Sequence, residues 1–118
     1  MSRVLIIEHN HNFRNAFKTL MNSKYSAVVF EEARNAREAF EKINEWMPDI
    51  IFSDISLSTE KSLELIGRAR EKCPSAIIVA LSSENSAEYE SAAIKSGADY
   101  HFPKSSLNLG VMDELFAT

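Results

Sequence analysis

The chain has 118 residues, 45% of them hydrophobic and 25% charged, which suits one compact domain burying roughly two thirds of its unfolded surface. Thirteen Lys and Arg against seventeen Asp and Glu give a net charge of -4 with no dense basic run, so direct nucleic-acid binding is not expected. No apolar stretch nears the roughly 20 residues that span a bilayer, the start at Met1, Ser2 and Arg3 is unlike a signal peptide, and a lone Cys73 forms no internal disulfide, so a cytoplasmic protein without a membrane partner is expected.

Along the chain, short runs of branched apolar residues alternate with segments whose apolar residues recur at helical spacing. Val4 to Ile7 form the first run, and Phe13, Phe17, Leu20 and Met21 form the stripe that follows, with Asn10 or Asn12 as its cap. Ala27, Val28, Val29 and Phe30 predict the second strand; Ala36, Phe40, Ile43 and Met47 then predict a helix that Pro48 ends. Ile50, Ile51 and Phe52 form the third run. Leu63, Ile66, Ala69 and Cys73 form the third stripe, capped at Ser58 or Thr59 and stopped by Pro74. Ala76 to Leu81 make the fourth run, and a weaker stripe with Tyr89, Ala92 and Ala93 ends at Gly97. The fifth run spans Ala98 to Phe102, before a last segment that places Leu107, Val111 and Leu115 four apart, with Met112 and Phe116 alongside.

Runs that are continuously apolar suit strands covered on both faces, hence parallel strands joined by helical crossovers. The chain reads as an α/β, doubly wound (βα)5 sandwich over residues 1–118, with the flavodoxin-like strand order 2-1-3-4-5 and no output domain. In such sheets the crevice lies at the carboxyl ends of the strands where the winding reverses, here between the first and third strands. Glu8 and His9 follow the first strand and Asp54 follows the third. A carboxylate at the end of so apolar a strand needs a partner or a metal. Ser82 and Ser83 end the fourth strand and Lys104 follows the fifth, adding a hydroxyl and an ammonium to the same edge. That set suits an anion arriving at a carboxylate.

Four blocks then resemble the response-regulator receiver domain: Val-Leu-Ile-Ile-Glu-His-Asn at 4 to 10, Pro-Asp-Ile-Ile-Phe-Ser-Asp at 48 to 54, Ala-Leu-Ser-Ser at 80 to 83, and Gly-Ala-Asp-Tyr-His-Phe-Pro-Lys at 97 to 104. The resemblance covers residues 3 to 117. It implies that Asp54 accepts a phosphoryl group from a histidine kinase or phosphotransfer protein, with self-phosphorylation and autodephosphorylation as the chemistry. It further implies that Lys104 is the cation on the phosphoryl group, Ser82 the hydroxyl that moves towards it, and His101 the residue at the aromatic switch position. The metal set carried across is Glu8, His9, Asp54 and the backbone carbonyl of Ser56. The family's pair after the first strand is normally two carboxylates, and here His9 replaces one. Three outcomes stand: Glu8 and Asp54 hold Mg²⁺ weakly, Mn²⁺ is preferred, or protonated His9 substitutes for part of the metal's charge; weak Mg²⁺ ranks first. His11 reads as a solvated residue near a helix N-terminus. Ser105 stands where the family often has a proline, so the Lys104–Ser105 bond is expected to be trans.

The expected partners are that kinase or phosphotransfer protein, a downstream protein or fused output domain, and a second copy through the face of the fourth helix, fifth strand and fifth helix. The alternative is a divergent pseudo-receiver that binds a protein through this face independently of phosphorylation. An unrelated flavodoxin-like enzyme or nucleotide binder would need a glycine-rich loop where Glu8, His9 and Asn10 stand.

Overall fold

Five parallel strands form one sheet in the order β2-β1-β3-β4-β5 in the computed structural model, which describes residues 2–55, 59–84 and 86–117, the side chains of Thr59 and Ala117 excepted. In chain order the elements are β1 (Arg3–Ile7), α1 (His11–Lys24), β2 (Val29–Ala33), α2 (Ala36–Trp46), β3 (Ile50–Asp54), α3 (Thr59–Lys72), β4 (Ile77–Ser82), α4 (Ala87–Ser96), β5 (Tyr100–Pro103) and α5 (Leu109–Ala117). The expected strand order is the observed one.

The continuous apolar runs split between the two faces of the sheet, as the two-residue period of a strand requires. Leu5, Ile7, Ile51, Ile78 and Ala80 pack with Ala39 and Ile43 of α2, Ile66 and Ala69 of α3 and Ala93 of α4. Val4, Ile6, Phe52, Val79 and Leu81 pack with Phe17 and Met21 of α1 and Met112 and Leu115 of α5. Phe52 is fully buried, with its ring edge-on to Phe17 at a centroid distance of 4.9 Å. No described helix is long and apolar enough to cross a membrane.

Local signals set the element ends. Asn10 and Asn35 cap α1 and α2 by accepting from the backbone N–H of Phe13 and Glu38, and Ser86 caps α4 through Tyr89 N–H. Met47 takes a left-handed conformation at the end of α2, just before Pro48, and Gly97 closes α4 at φ 127°. No described peptide bond is cis, so Lys104–Ser105 is trans as expected. The cap expected at Ser58 lies outside the described residues.

Two strands differ from expectation. β2 begins at Val29 and continues through Glu31 and Glu32, two polar residues that the apolar run from Ala27 to Phe30 did not include. It is an edge strand, and its carboxylates are paired from outside the sheet: Glu31 with Lys42, and Glu32 with Arg14 and Lys18. Similarly, β5 starts at Tyr100 and runs to Pro103, which an edge strand tolerates because one side needs no ladder donor.

Candidate functional site

β1 and β3 are neighbours, with Ile7 beside Ser53, so the residues that follow them emerge together at the carboxyl edge. Glu8 leaves β1 with its N–H bonded to the Ala33 carbonyl at 2.9 Å, which turns its side chain inward, where it is fully buried. Its carboxylate is fixed from two sides. Asn10 N–H donates to Oε2 at 3.1 Å, and Lys104 Nζ lies 2.7 Å from Oε1. Burial pushes the Glu8 carboxyl above the usual carboxylate range, while Lys104 and the Asn10 N–H pull it back and the Asp54 charge raises it again.

Asp54 ends β3 beside Leu81 of β4, its side chain only 6% exposed. Its Oδ2 stands between two nitrogens, 3.6 Å from Lys104 Nζ and 3.8 Å from His9 Nδ1. Lys104 begins a short 3-10 turn after Pro103, and its ammonium also lies over the Phe13 ring, 4.5 Å from the centroid. The His9 ring is half-exposed, with Nδ1 3.6 Å from Glu8 Oε2. Glu8, His9 and Asp54 each offer one ligand atom within 4.8 Å of the others, a spacing from which one divalent ion can be reached. A cleft of about 490 Å³ opens beside them, lined also by Arg34, Arg37 and Lys61.

Ser82 and His101 form a second, adjoining group. β4 and β5 pair with Ala80 beside His101, and the Ser82 hydroxyl lies 2.8 Å from His101 Nε2. The hydroxyl has one proton, and it is donated to the Glu84 carbonyl. His101 Nε2 is therefore the N–H donor to Ser82 Oγ, which leaves Nδ1 unprotonated in the neutral ring. That atom is buried with no hydrogen-bond partner among the described residues, and the Glu90 carboxylate stands 3.9 Å from it. Burial holds His101 below the usual histidine range, and Glu90 opposes that shift only in part.

The structure thus brings Glu8, His9, Asp54 and Lys104 into one cluster and joins Ser82 to His101. Ser56 lies outside the described residues. His11 stays out of the cluster, its ring nitrogens directed to Arg14 and Asn15. Arg14 is a supporting residue that the sequence reading missed. It is nearly buried, donates to the Glu8 carbonyl at 2.8 Å and pairs with Glu32 at 2.6 Å, so it ties the Glu8–His9 turn to β2. Its position one residue after Phe13 on a helical stripe was the available signal, but arginine at such a site reads as solvated surface.

Comparison with known proteins places this geometry in context. The sequence matches the response regulator receiver domain family over residues 4–114. Chemotaxis protein CheY of Halobacterium salinarum is 26% identical over 113 residues, 96% of this chain and 92% of that protein. The virulence transcriptional regulatory protein PhoP of Salmonella typhimurium is 33% identical over 104 residues, 88% of this chain and 46% of PhoP, so the match spans about half of that regulator. A Burkholderia pseudomallei response regulator, solved with a phosphorylated aspartic acid, a calcium ion and citrate, shares the fold at a TM-score of 0.84 and 22% identity, over 99% of this chain and 72% of that one.

Proposed function

The chain belongs to the response-regulator receiver family, and on that premise we propose that it is a phosphorylation switch with Asp54 as the phosphoryl acceptor. The observation that carries the reading is the placement of Asp54 Oδ2 within 3.6 Å of the Lys104 ammonium, in a cluster with buried Glu8 and half-exposed His9. A carboxylate oxygen of Asp54 attacks the phosphorus of a phosphohistidine on a histidine kinase or phosphotransfer protein, or of a small acyl phosphate. The new O–P bond forms as the bond to the donor breaks, and the leaving group keeps its electron pair. Both reactants are anionic, so the barrier is lowered mainly by positioning and charge neutralisation. Lys104 supplies a fixed positive charge beside the acceptor, Asn10 N–H holds the Glu8 carboxylate, and Arg14 anchors the Glu8 backbone carbonyl. Glu8, Asp54 and His9 are the residues that would hold a divalent ion, which would supply the remaining neutralisation. Mg²⁺ would be held weakly, because His9 offers nitrogen where that ion prefers oxygen; Mn²⁺ is the alternative ion. Attack of water on the phosphorus later breaks the Asp54 O–P bond, releasing inorganic phosphate and restoring the carboxylate.

Once Asp54 carries a phosphoryl group, the Ser82 proton leaves the Glu84 carbonyl for a phosphoryl oxygen. Oγ still accepts from His101 Nε2, so the ring is drawn along with the hydroxyl. The face made by α4, β5 and α5 then changes its preference among partners: a downstream protein, a fused output domain, or a second copy of the chain. A cytoplasmic location, typical of receiver domains, is proposed here.

A second reading, a pseudo-receiver that binds its partner independently of phosphate, is favoured by one observation: Lys104 is engaged by Glu8 at 2.7 Å, closer than to Asp54. Intact-protein mass after incubation with acetyl phosphate, in Mg²⁺, in Mn²⁺ and without added metal, separates the two. The switch predicts one added phosphoryl group that is absent from Asp54→Asn. No addition under any condition, with folded protein, overturns the switch and favours the second reading.

A further inference from the structure

We propose that His9 makes this pocket select a first-row transition ion, of the Mn²⁺ or Co²⁺ kind, over Mg²⁺. The inference rests on the reading of Glu8, His9 and Asp54 as the ion site of the acceptor pocket and specifies which ion that site takes. His9 Nδ1 stands 3.6 Å from Glu8 Oε2 and 3.8 Å from Asp54 Oδ2. Ligand atoms about 2.1 Å from a shared ion lie about 3.0 Å apart in a cis octahedral pair and about 3.4 Å apart in a tetrahedron. Bringing the two His9 distances to those values takes about 0.2–0.4 Å for a tetrahedral pair and about 0.6–0.8 Å for an octahedral one, and the half-exposed His9 ring is the member with room to move.

Donor chemistry and charge then point the same way. Imidazole bonds well to first-row transition ions, whereas Mg²⁺ prefers an all-oxygen octahedral shell and sheds water reluctantly. The two carboxylates bring two negative charges and Lys104, 2.7 Å from Glu8 Oε1, returns one positive charge. A third carboxylate, in place of His9, would restore the missing negative charge that a hard ion depends on. An imidazole cannot, yet its lone pair binds a transition ion without needing that charge. Lys104 also engages Oε1 of Glu8, and the Asn10 N–H takes one lone pair of Oε2, so the second lone pair of Oε2, the oxygen facing His9, is the one an ion would use.

Equilibrium dialysis of the full chain against Mg²⁺, Mn²⁺ and Co²⁺ tests this with wild type, His9→Asp and His9→Ala, each checked for folding by circular dichroism. Wild type is expected to bind Co²⁺ at least tenfold tighter than Mg²⁺. His9→Asp is expected to cut that preference at least tenfold, chiefly by gaining Mg²⁺ affinity, and His9→Ala to lose Co²⁺ without gaining Mg²⁺. The proton NMR spectrum of Co²⁺-loaded wild type should show a paramagnetically shifted imidazole N–H that is missing from both variants. An unchanged preference in His9→Asp, a shifted imidazole resonance that survives the substitution, or no ion binding by wild type overturns the proposal. Ion selectivity that follows His9 in a protein that takes up no phosphoryl group would sustain this inference while the phosphoacceptor reading fails. Phosphoryl uptake with a preference indifferent to His9 would do the reverse.

Discussion

Replacing His101 by Phe should remove a specific part of the protein's acid sensitivity. The ring is buried, donates from Nε2 to Ser82 at 2.8 Å, and leaves Nδ1 without a hydrogen bond among the described residues. Burial lowers its proton affinity, and the Glu90 carboxylate at 3.9 Å restores only part of it. Below the unfolded value of about 6.5, the unfolded chain therefore binds a proton that the folded chain does not, so stability falls with decreasing pH until the folded His101 itself protonates. The loss is at most about 1.4 kcal/mol per pH unit within that window, which caps the His101 share between pH 7.5 and 5.5 at about 1.4 kcal/mol. At pH 7.5 His101→Phe forfeits one neutral hydrogen bond but leaves Ser82 donating to Glu84, and the extra apolar burial offsets it, so the net change should stay within about 1 kcal/mol. Urea denaturation of both proteins at the two pH values measures the difference, in which contributions from the other histidines cancel. The variant should lose less stability on acidification than wild type. Equal losses in the two proteins would refute the assignment of a buried, neutral His101.

Two stability predictions probe the scaffold that positions the site. Phe52→Ala removes a fully buried ring that meets Phe17 beneath α1 and should cost about 3–5 kcal/mol by chemical denaturation; a cost under about 1 kcal/mol would mean that the site collapses around the cavity. Gly97→Ala should cost about 1–3 kcal/mol, because the backbone there sits at φ 127° and an added Cβ would lie 3.0 Å from the Arg70 Cβ. A melting temperature equal to that of wild type would contradict it.

The sheet order was legible because three of the five strands, β1, β3 and β4, are apolar on both faces, a pattern that admits few other topologies once crossovers are right-handed. β2 was misplaced by the same logic: as an edge strand it carries Glu31 and Glu32, whose partners Lys42, Arg14 and Lys18 come from other elements and leave no local mark. The site was legible to the extent that its residues end strands. Glu8, Asp54, Ser82 and Lys104 fall on one edge by topology alone. What the sequence could not convey is how they share partners. Lys104 lies nearer Glu8 than Asp54, and the Ser82 proton goes to Glu84, so His101 becomes the donor; both outcomes depend on distances across separate strands. Arg14 escaped notice for a related reason, since its burial arises from the packing of α1 near β2.

The central claim is that Asp54 itself becomes an acyl phosphate, and borohydride reduction after incubation with acetyl phosphate tests it at the level of the residue. Reduction converts a phosphorylated aspartate to homoserine and leaves free carboxylates unchanged, so peptide mass spectrometry reads the modified position. Homoserine at position 54, dependent on acetyl phosphate and on the divalent ion supplied, is the expected result. Homoserine at another aspartate, or none in a protein shown to be folded, would contradict the account.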